Sequence, residues 1–269
     1  MERDGNGWVS CACGARHWGK QGAAGVFLVV QDHVLLQLRP GWAHQGGTWA
    51  IPGGARDSHE SVVAAALREA REEAAIDPAL IQVTGVHRLQ HPDWRYDTVL
   101  AVTARRPPVS AHAESVRLEW VPVADLADWD LHPGFAASLP DLRLPRVSVV
   151  IDGANVVGSR PDGWWRDRAG AAQRLLVRLD SIAGRRVELA GQPVLAAHVE
   201  VVVEGQAVAV PDPPLDSLVR VVRAAGSGDD TIVERARSLT DVLVVTSDRA
   251  LRERVPRSTS VSTLQGWLS

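Results

Sequence analysis

Apolar positions along this chain change period, and the changes mark out its elements. Two strand-like runs, Ala24 to Gln31 and His33 to Arg39, are joined by the polar pair Gln31-Asp32 and predict a hairpin or neighbouring strands. A third run follows at Thr48 to Ile51. In the stretch GGARDSHESVVAAALREAREEAAI, from Gly53 to Ile76, the spacing becomes helical. At about 100° per residue, Val63, Leu67, Ala70 and Ala74 share one side while Glu69, Glu72 and Glu73 share the other. Asp57 or Ser58 is expected to cap this helix, Asp57 and Glu60 having the spacing of a capping box, and Pro78 to stop it. Ile81 to Gln90 and Thr98 to Thr103 read as strands linked by HPDWRY; PPVSAHAES reads as a loop and Arg117 to Val123 as a strand.

Prolines 133, 140 and 145 bracket a short helical piece and are expected to break any longer one, placing a boundary near Leu144. The chain thus divides into a segment 1–21, a first domain 22–144 and a second domain 145–269. In the second, the apolar strand VSVVIDGANVVG is followed by a helix-like stretch from Gly170 to Ile182 and strands at Val194 to Val203 and Leu218 to Val222. GSGDDTIVERARSL then opens a helix, and DVLVVTSDRALRERV runs a strand into another. Apolar strands alternating with helices predict a mainly parallel sheet, whose C-terminal strand ends would gather Asp152, Asp229, Asp230 and Asp248. Helix capping is the competing role for aspartates there. It is least expected of Asp152, after which no helix is predicted to begin at once.

Composition adds exclusions. With 269 residues, 45% hydrophobic and 23% charged, the chain can bury two modest cores. Its net charge of −3 argues against a general nucleic-acid coat. No apolar run reaches membrane-spanning length and no signal peptide is evident, so a cytoplasmic location is the default. Cys11 and Cys13 are too close for a comfortable disulfide; with His17 they form C-x-C-x3-H. A closed zinc site needs four ligands, and the lack of an evident fourth argues against zinc at Cys11, Cys13 and His17.

Three carboxylates at i, i+3 and i+4 repel one another unless a cation lies among them. Hard divalent ions such as Mg²⁺ take oxygen ligands and are commonly shared between carboxylates and substrate phosphates. The Gly53-Gly54 pair would let backbone approach such a substrate closely, and Arg39 and Trp42 stand in neighbouring segments as further candidate substrate contacts. A solvated acidic face is the plainer alternative.

The register from Gly54 through Glu60 to Arg68-Glu69-Ala70-Arg71-Glu72-Glu73 and Ala75-Ile76 resembles the signature of the Nudix hydrolase family. The likeness runs from about Gly22 to Gly134, through LLQLRPG, GTWAIPGG and EWVPVADL. Ala75 stands where that family usually has glycine. The resemblance implies an α/β/α sandwich with a mixed sheet, Mg²⁺ or Mn²⁺ as cofactor, and hydrolysis of a nucleoside diphosphate linked to another group. Glu69, Glu72 and Glu73 would serve as metal and base positions, with Glu114 a further acid for which Glu119 competes. Oxidised nucleotides, ADP-ribose, NADH, dinucleoside polyphosphates and RNA caps all fit that reaction.

DGANVVG, GSGDDTIVE and TSDRALRE in turn resemble the NYN branch of PIN-like ribonuclease domains, over roughly Val147 to Ser269. That resemblance implies an α/β/α fold with catalytic and metal-binding roles for Asp152, Asp229 or Asp230, and Asp248. Asn155 would be a polar helper, and Asp162, Asp167 and Glu204 compete for one further acid. Single-stranded RNA would be the partner. The competing function is an RNA-binding or RNA-processing protein in which this second half is the main activity or a non-catalytic module.

Overall fold

The structure, a computed structural model, describes residues 3–111, 115–160 and 163–269. Their contacts separate two compact units, Met1–Arg143 and Leu144–Ser269.

The first unit begins with a small antiparallel hairpin, β1 (Trp8–Ser10) and β2 (Arg16–Trp18), within the segment 1–21, for which the sequence pattern predicts no strand. Strands β3 (Ala23–Val30), β4 (His33–Leu38), β5 (Trp49–Ala50) and β6 (Gly53–Ala55) follow, then helix α1 (Val62–Ala74), β7 (Gln82–Gln90), β8 (Arg95–Val102), β9 (Arg117–Pro122) and α2 (Pro133–Leu142). The sheet is mixed: β3 runs parallel to β8 and antiparallel to β6, and β4 lies antiparallel to β9. Gln31 and Asp32 both have positive φ (48° and 65°), so β3 and β4 turn through a tight two-residue hairpin whose twist matches the strands.

Alternation sets the two faces of β3. Val26 and Leu28 pack with Ala70, Ala74 and Ile76 of α1 and its C-terminus, while the ring of Phe27 lies 6.3 Å from Phe135 of α2. One helix thus covers each side. Pro140 lies inside α2 rather than breaking it, at the cost of the bond its missing N–H would have made to the carbonyl of Ala136.

In the second unit come β10 (Arg146–Asp152), α3 (Gly153–Gly158), α4 (Arg168–Leu179), β11 (Arg186–Leu189), β12 (Gln192–Val203), β13 (Val219–Arg223), α5 (Gly228–Ser238), β14 (Val242–Val245), α6 (Arg249–Arg252), β15 (Ser258–Thr259) and α7 (Val261–Trp267). The parallel strands lie in the order β13-β12-β10-β14-β15, with β11 antiparallel on β12. This is a doubly wound sheet. Val147, Val149 and Ile151 pack with α4 and α7, whereas Val150 on the opposite face of β10 packs with Ile232 and Ala236 of α5 and Leu251 of α6. Among the described residues no helix is long and apolar enough to cross a membrane.

Candidate active site

Helix α1 starts later than its sequence pattern predicts. Ser61 is the N-cap, its hydroxyl accepting from Ala64 N at 3.2 Å. Asp57 is drawn away by a distant partner: its carboxylate accepts from Gly5 N at 2.7 Å, while its own N–H donates to Glu60 Oε2 at 3.1 Å. The half-formed box therefore shapes the loop before the helix. At the other end Ala75, not Pro78, stops α1. Its φ of 57° is left-handed, its N–H and that of Ile76 bond back to Arg71 O and Ala70 O, and the Ile76 side chain is fully buried beside Ala70 and Ala74.

The acidic side of α1 is not a solvated face. Val62, Ala65, Ala66, Glu69, Ala70, Glu73 and Ala74 form the buried seam, which takes Glu69 and Glu73 inward with the alanines. Val63 and Leu67, expected on the apolar side, flank that seam half-buried, and Glu72 stands at its exposed edge. The seam faces the glycine pair on β6. A Cβ on Gly54 would come within 2.6 Å of Glu69 Oε1, and one on Gly53 within 2.5 Å of the Tyr96 hydroxyl and 2.6 Å of Gly25 Cα. The pair is required by close approach.

Glu73 is held from two sides: Gly53 N donates to its Oε2 at 2.6 Å and Gln37 Nε2 at 2.9 Å. Ser115 fixes Gln37 in turn, its hydroxyl donating to Gln37 Oε1 at 2.5 Å and to Glu73 O at 3.1 Å. Burial, then the charge of Glu69, pushes the Glu73 carboxyl up to about 8. Arg68 organises the remaining acids. It grips Glu60 through Nε at 2.7 Å and Nη2 at 2.9 Å, reaches Glu69 Oε1 at 2.5 Å and Glu72 Oε2 at 3.1 Å, and bonds Ala55 O at 2.9 Å. Glu72 also receives Arg3. These donors are oxygens throughout; the near-buried Glu69 and Glu73 carboxylates act on one another, while Glu72 turns outward to Arg3 and Arg68. That set fits a hard divalent cation such as Mg²⁺ or Mn²⁺.

Gln37, Ser115, Tyr96 and Glu60 were not singled out as site residues from the sequence. A glutamine inside the apolar run HVLLQL was the available signal. Arg39 follows β4, and its Nε is buried without a hydrogen-bond partner among the described residues. Trp42 does not cover a core edge, being 76% exposed in the loop beyond. Glu119 pairs with Arg117 on β9, and Glu114 lies outside the described residues.

In the second unit the sequence reading of Asp152 needs correction. Helix α3 begins immediately after it, and Asp152 is the N-cap, accepting from Asn155 N at 3.0 Å. Its other oxygen accepts from the buried Thr246 hydroxyl at 2.8 Å. Asp248 caps α6 through Leu251 N at 2.9 Å, and Asn155 Oδ1 accepts from Ser247 N at 2.8 Å. Ser227 caps α5, leaving Asp229 and Asp230 in its first turn, where Asp230 pairs with Arg254. Of the acids competing for a further place, Asp167 caps α4, Asp162 lies outside the described residues, and Glu204 follows β12 with Oε2 accepting from Gly228 N at 2.8 Å. Capping and clustering coexist. Burial, with the charges of Asp229 and Glu204, raises Asp152; burial, with those of Asp248 and Glu204, raises Asp229. Asp152 is thus within electrostatic reach of Asp229 and Glu204, and Asp229 of Asp248, beyond the C-terminal ends of β10, β12 and β14.

Comparison with known proteins bears on the first unit. A protein of Bifidobacterium longum described as a nucleoside triphosphate pyrophosphatase/Nudix hydrolase fusion protein is 41% identical over 53% of this chain and 33% of its own length. A putative 8-oxo-dGTP diphosphatase 3 of Mycobacterium tuberculosis is 41% identical over 54% of this chain and 72% of its own. The chain thus spans about a third of the first relative and nearly three quarters of the second. A crystal structure of a Nudix hydrolase from M. smegmatis, RenU, is 43% identical, covering 52% of this chain and 93% of that one with a TM-score of 0.48. Residues 19–142 match the model of the NUDIX domain, a segment that contains the buried glutamates and the glycine pair, and together with the relative of M. tuberculosis matched over 72% of its length this shows that the chain belongs to the Nudix family.

Proposed function

We propose that the first unit hydrolyses a pyrophosphate bond in a nucleoside di- or triphosphate derivative, with Mg²⁺ or Mn²⁺ as cofactor, and that an oxidised purine nucleoside triphosphate is the first substrate to try. The observation that carries the reading is Glu73, buried against Glu69 and bonded to the backbone of a glycine that tolerates no side chain. The relative from M. tuberculosis supports the substrate class. Glu72 and Glu73 hold the cation, and Glu69 shares it or accepts the proton of the attacking water. Bound metal would supply charge neutralisation for the phosphate oxygens. Gly53 and Gly54 let β6 close onto Glu69 and Glu73 and would reach the pyrophosphate only through their peptide groups, Arg39 supplies a half-buried positive charge beside them, and Trp42 is free to stack on a base. Glu73→Gln keeps an acceptor for Gly53 and Gln37 but loses the charge. Assays over a panel of oxidised nucleotides, ADP-ribose, NADH and dinucleoside polyphosphates with Mg²⁺ and Mn²⁺ should show hydrolysis in the parent and none in the variant, with circular dichroism unchanged. Full turnover by Glu73→Gln would refute the assignment.

A second reading concerns the other unit. The placement of Asp152, Glu204 and Asp248 beyond the C-terminal ends of β10, β12 and β14, with Asp229 at the start of α5, supports an NYN/PIN-like domain that cuts single-stranded RNA with a divalent ion, with Asn155 as helper. Trp165, 54% exposed next to Trp164, offers a base platform. Asp152→Asn should abolish cleavage of a labelled single-stranded RNA while leaving binding in place. Binding without cleavage by the parent chain would instead favour a non-catalytic module.

A further inference from the structure

The N-terminal hairpin gathers donors of a different chemistry from either carboxylate cluster. β1 and β2 pair with Val9 opposite His17 and Ser10 opposite Arg16. Side chains alternate along a strand, so Cys11 continues the face that carries Val9 and His17. The connecting turn closes through Cys11 N to Ala15 O and Gly14 N to Cys11 O, both 3.0 Å, with Gly14 at a φ of +86° that a side chain would disfavour. This turn brings Cys13 Sγ to 3.2 Å from His17 Nε2. One donor atom each from Cys11, Cys13 and His17 lies within 4.8 Å of the other two. In a tetrahedral zinc site, with bonds of ~2.3 Å to sulfur and ~2.0 Å to nitrogen, neighbouring donors stand about 3.5 to 3.8 Å apart. The three are near that spacing already, and both cysteines are free.

The turn between β7 and β8 adds what the local sequence lacks. Asp93 Oδ2 accepts from Ala12 N at 2.7 Å, and Trp94 stacks on the His17 ring at 4.4 Å and 8° while its indole donates to Gly19 O at 3.0 Å. These contacts bring a second imidazole alongside: the His91 ring is 4.4 Å from that of His17, tilted by 43°, with its nitrogens outside the three-donor group and needing a turn of the ring to complete it. The sequence argued against zinc because C-x-C-x3-H supplies three ligands; folding brings a fourth candidate from a distant segment. Thiolates with imidazoles select zinc over magnesium or calcium.

We propose that Cys11, Cys13, His17 and His91 bind one zinc ion, which ties the N-terminal hairpin to the β7–β8 turn as a structural site separate from the hydrolytic metal. The test uses the full chain, saturated with zinc and passed through a desalting column, with metal measured by mass spectrometry. About one zinc per chain should remain, and cobalt substitution should give thiolate-to-metal charge-transfer absorption. Cys13→Ser changes an exposed residue and should lose both signals while circular dichroism and Mg²⁺-dependent hydrolysis persist; His91→Ala should weaken zinc binding at least tenfold. A parent chain that retains no zinc, or a Cys13→Ser chain that retains it equally, would overturn the site. Undiminished affinity in His91→Ala would overturn the fourth ligand.

Discussion

Glu73 shows how a carboxylate can be buried and kept ready for a cation. Its Oε2 is fixed by Gly53 N and by Gln37, and Gln37 is fixed by Ser115, so the rotamer is set by a chain of buried hydrogen bonds running from β4 to α1. Gln37 is fully buried and acts through the Glu73 carboxylate it holds, which makes it a positioning residue. Gln37→Leu matches its volume and deletes both bonds. Losing a group that orients a metal ligand typically costs about 10- to 100-fold in metal affinity or activity. We expect a fall of that size in kcat, a higher Mg²⁺ concentration for half-maximal rate, and little change in KM. A KM effect alone would show that Gln37 serves substrate binding instead.

The elements show what local pattern determines and what it leaves to long-range partners. The helical period of 62–74 and the strand character of β3, β4 and β7 were legible, because those segments bury whole faces. The true start of α1 was not, because Asp57 is claimed by Gly5 far away in sequence. β6 is a Gly-Gly-Ala segment with no strand propensity of its own, made a strand by pairing with β3. The inward turn of Glu69 and Glu73 was missed for a related reason: periodicity puts residues on faces, whereas only the facing glycines make room for carboxylates there. Helix α2 offers a test of such local chemistry. His132 caps it with Nδ1 accepting from Gly134 N at 3.1 Å, and burial, helped by Arg39 and His44, lowers its pKa to about 4. The ordinary value is near 6.5, so the unfolded chain takes the proton first. The stability that neutral His132 contributes is therefore present above about 6.5 and is lost as pH falls through about 4, when Nδ1 can no longer accept. His132→Asn keeps a capping oxygen without titrating. Urea midpoints measured between pH 7 and 4 should fall less steeply in the variant, and parallel curves would show that the cap carries no such linkage.

At the scale of the whole molecule, two carboxylate sites of similar charge are built by unrelated architecture. In the first unit the acids come from a single helix laid against a glycine strand, and the signal is a fixed spacing within a few turns. In the second, Asp152, Glu204 and Asp248 follow three different strands and Asp229 opens α5, so the acids are far apart in sequence and three of the four lie at helix starts, where capping is the ordinary reading. The two constructions have separate cores: Val26, Leu28, Leu35 and Ala74 in one, Val149, Ile151, Leu179 and Leu243 in the other. Among the described residues every strand pairing is internal to one unit. A fragment of residues 1–143 retains Gly5, which anchors Asp57, as well as Gln37, Ser115 and the glutamates. It should therefore fold cooperatively and hydrolyse the nucleotide substrate with the kcat/KM of the full chain. Residues 144–269 alone should fold, show no such hydrolysis, and retain whatever RNA binding the full chain has. Steady-state kinetics on the two fragments, with denaturation followed by tryptophan fluorescence, decide it. An unfolded 1–143 fragment, or one that recovers activity only when 144–269 is added, would mean that the hydrolytic site depends on both units.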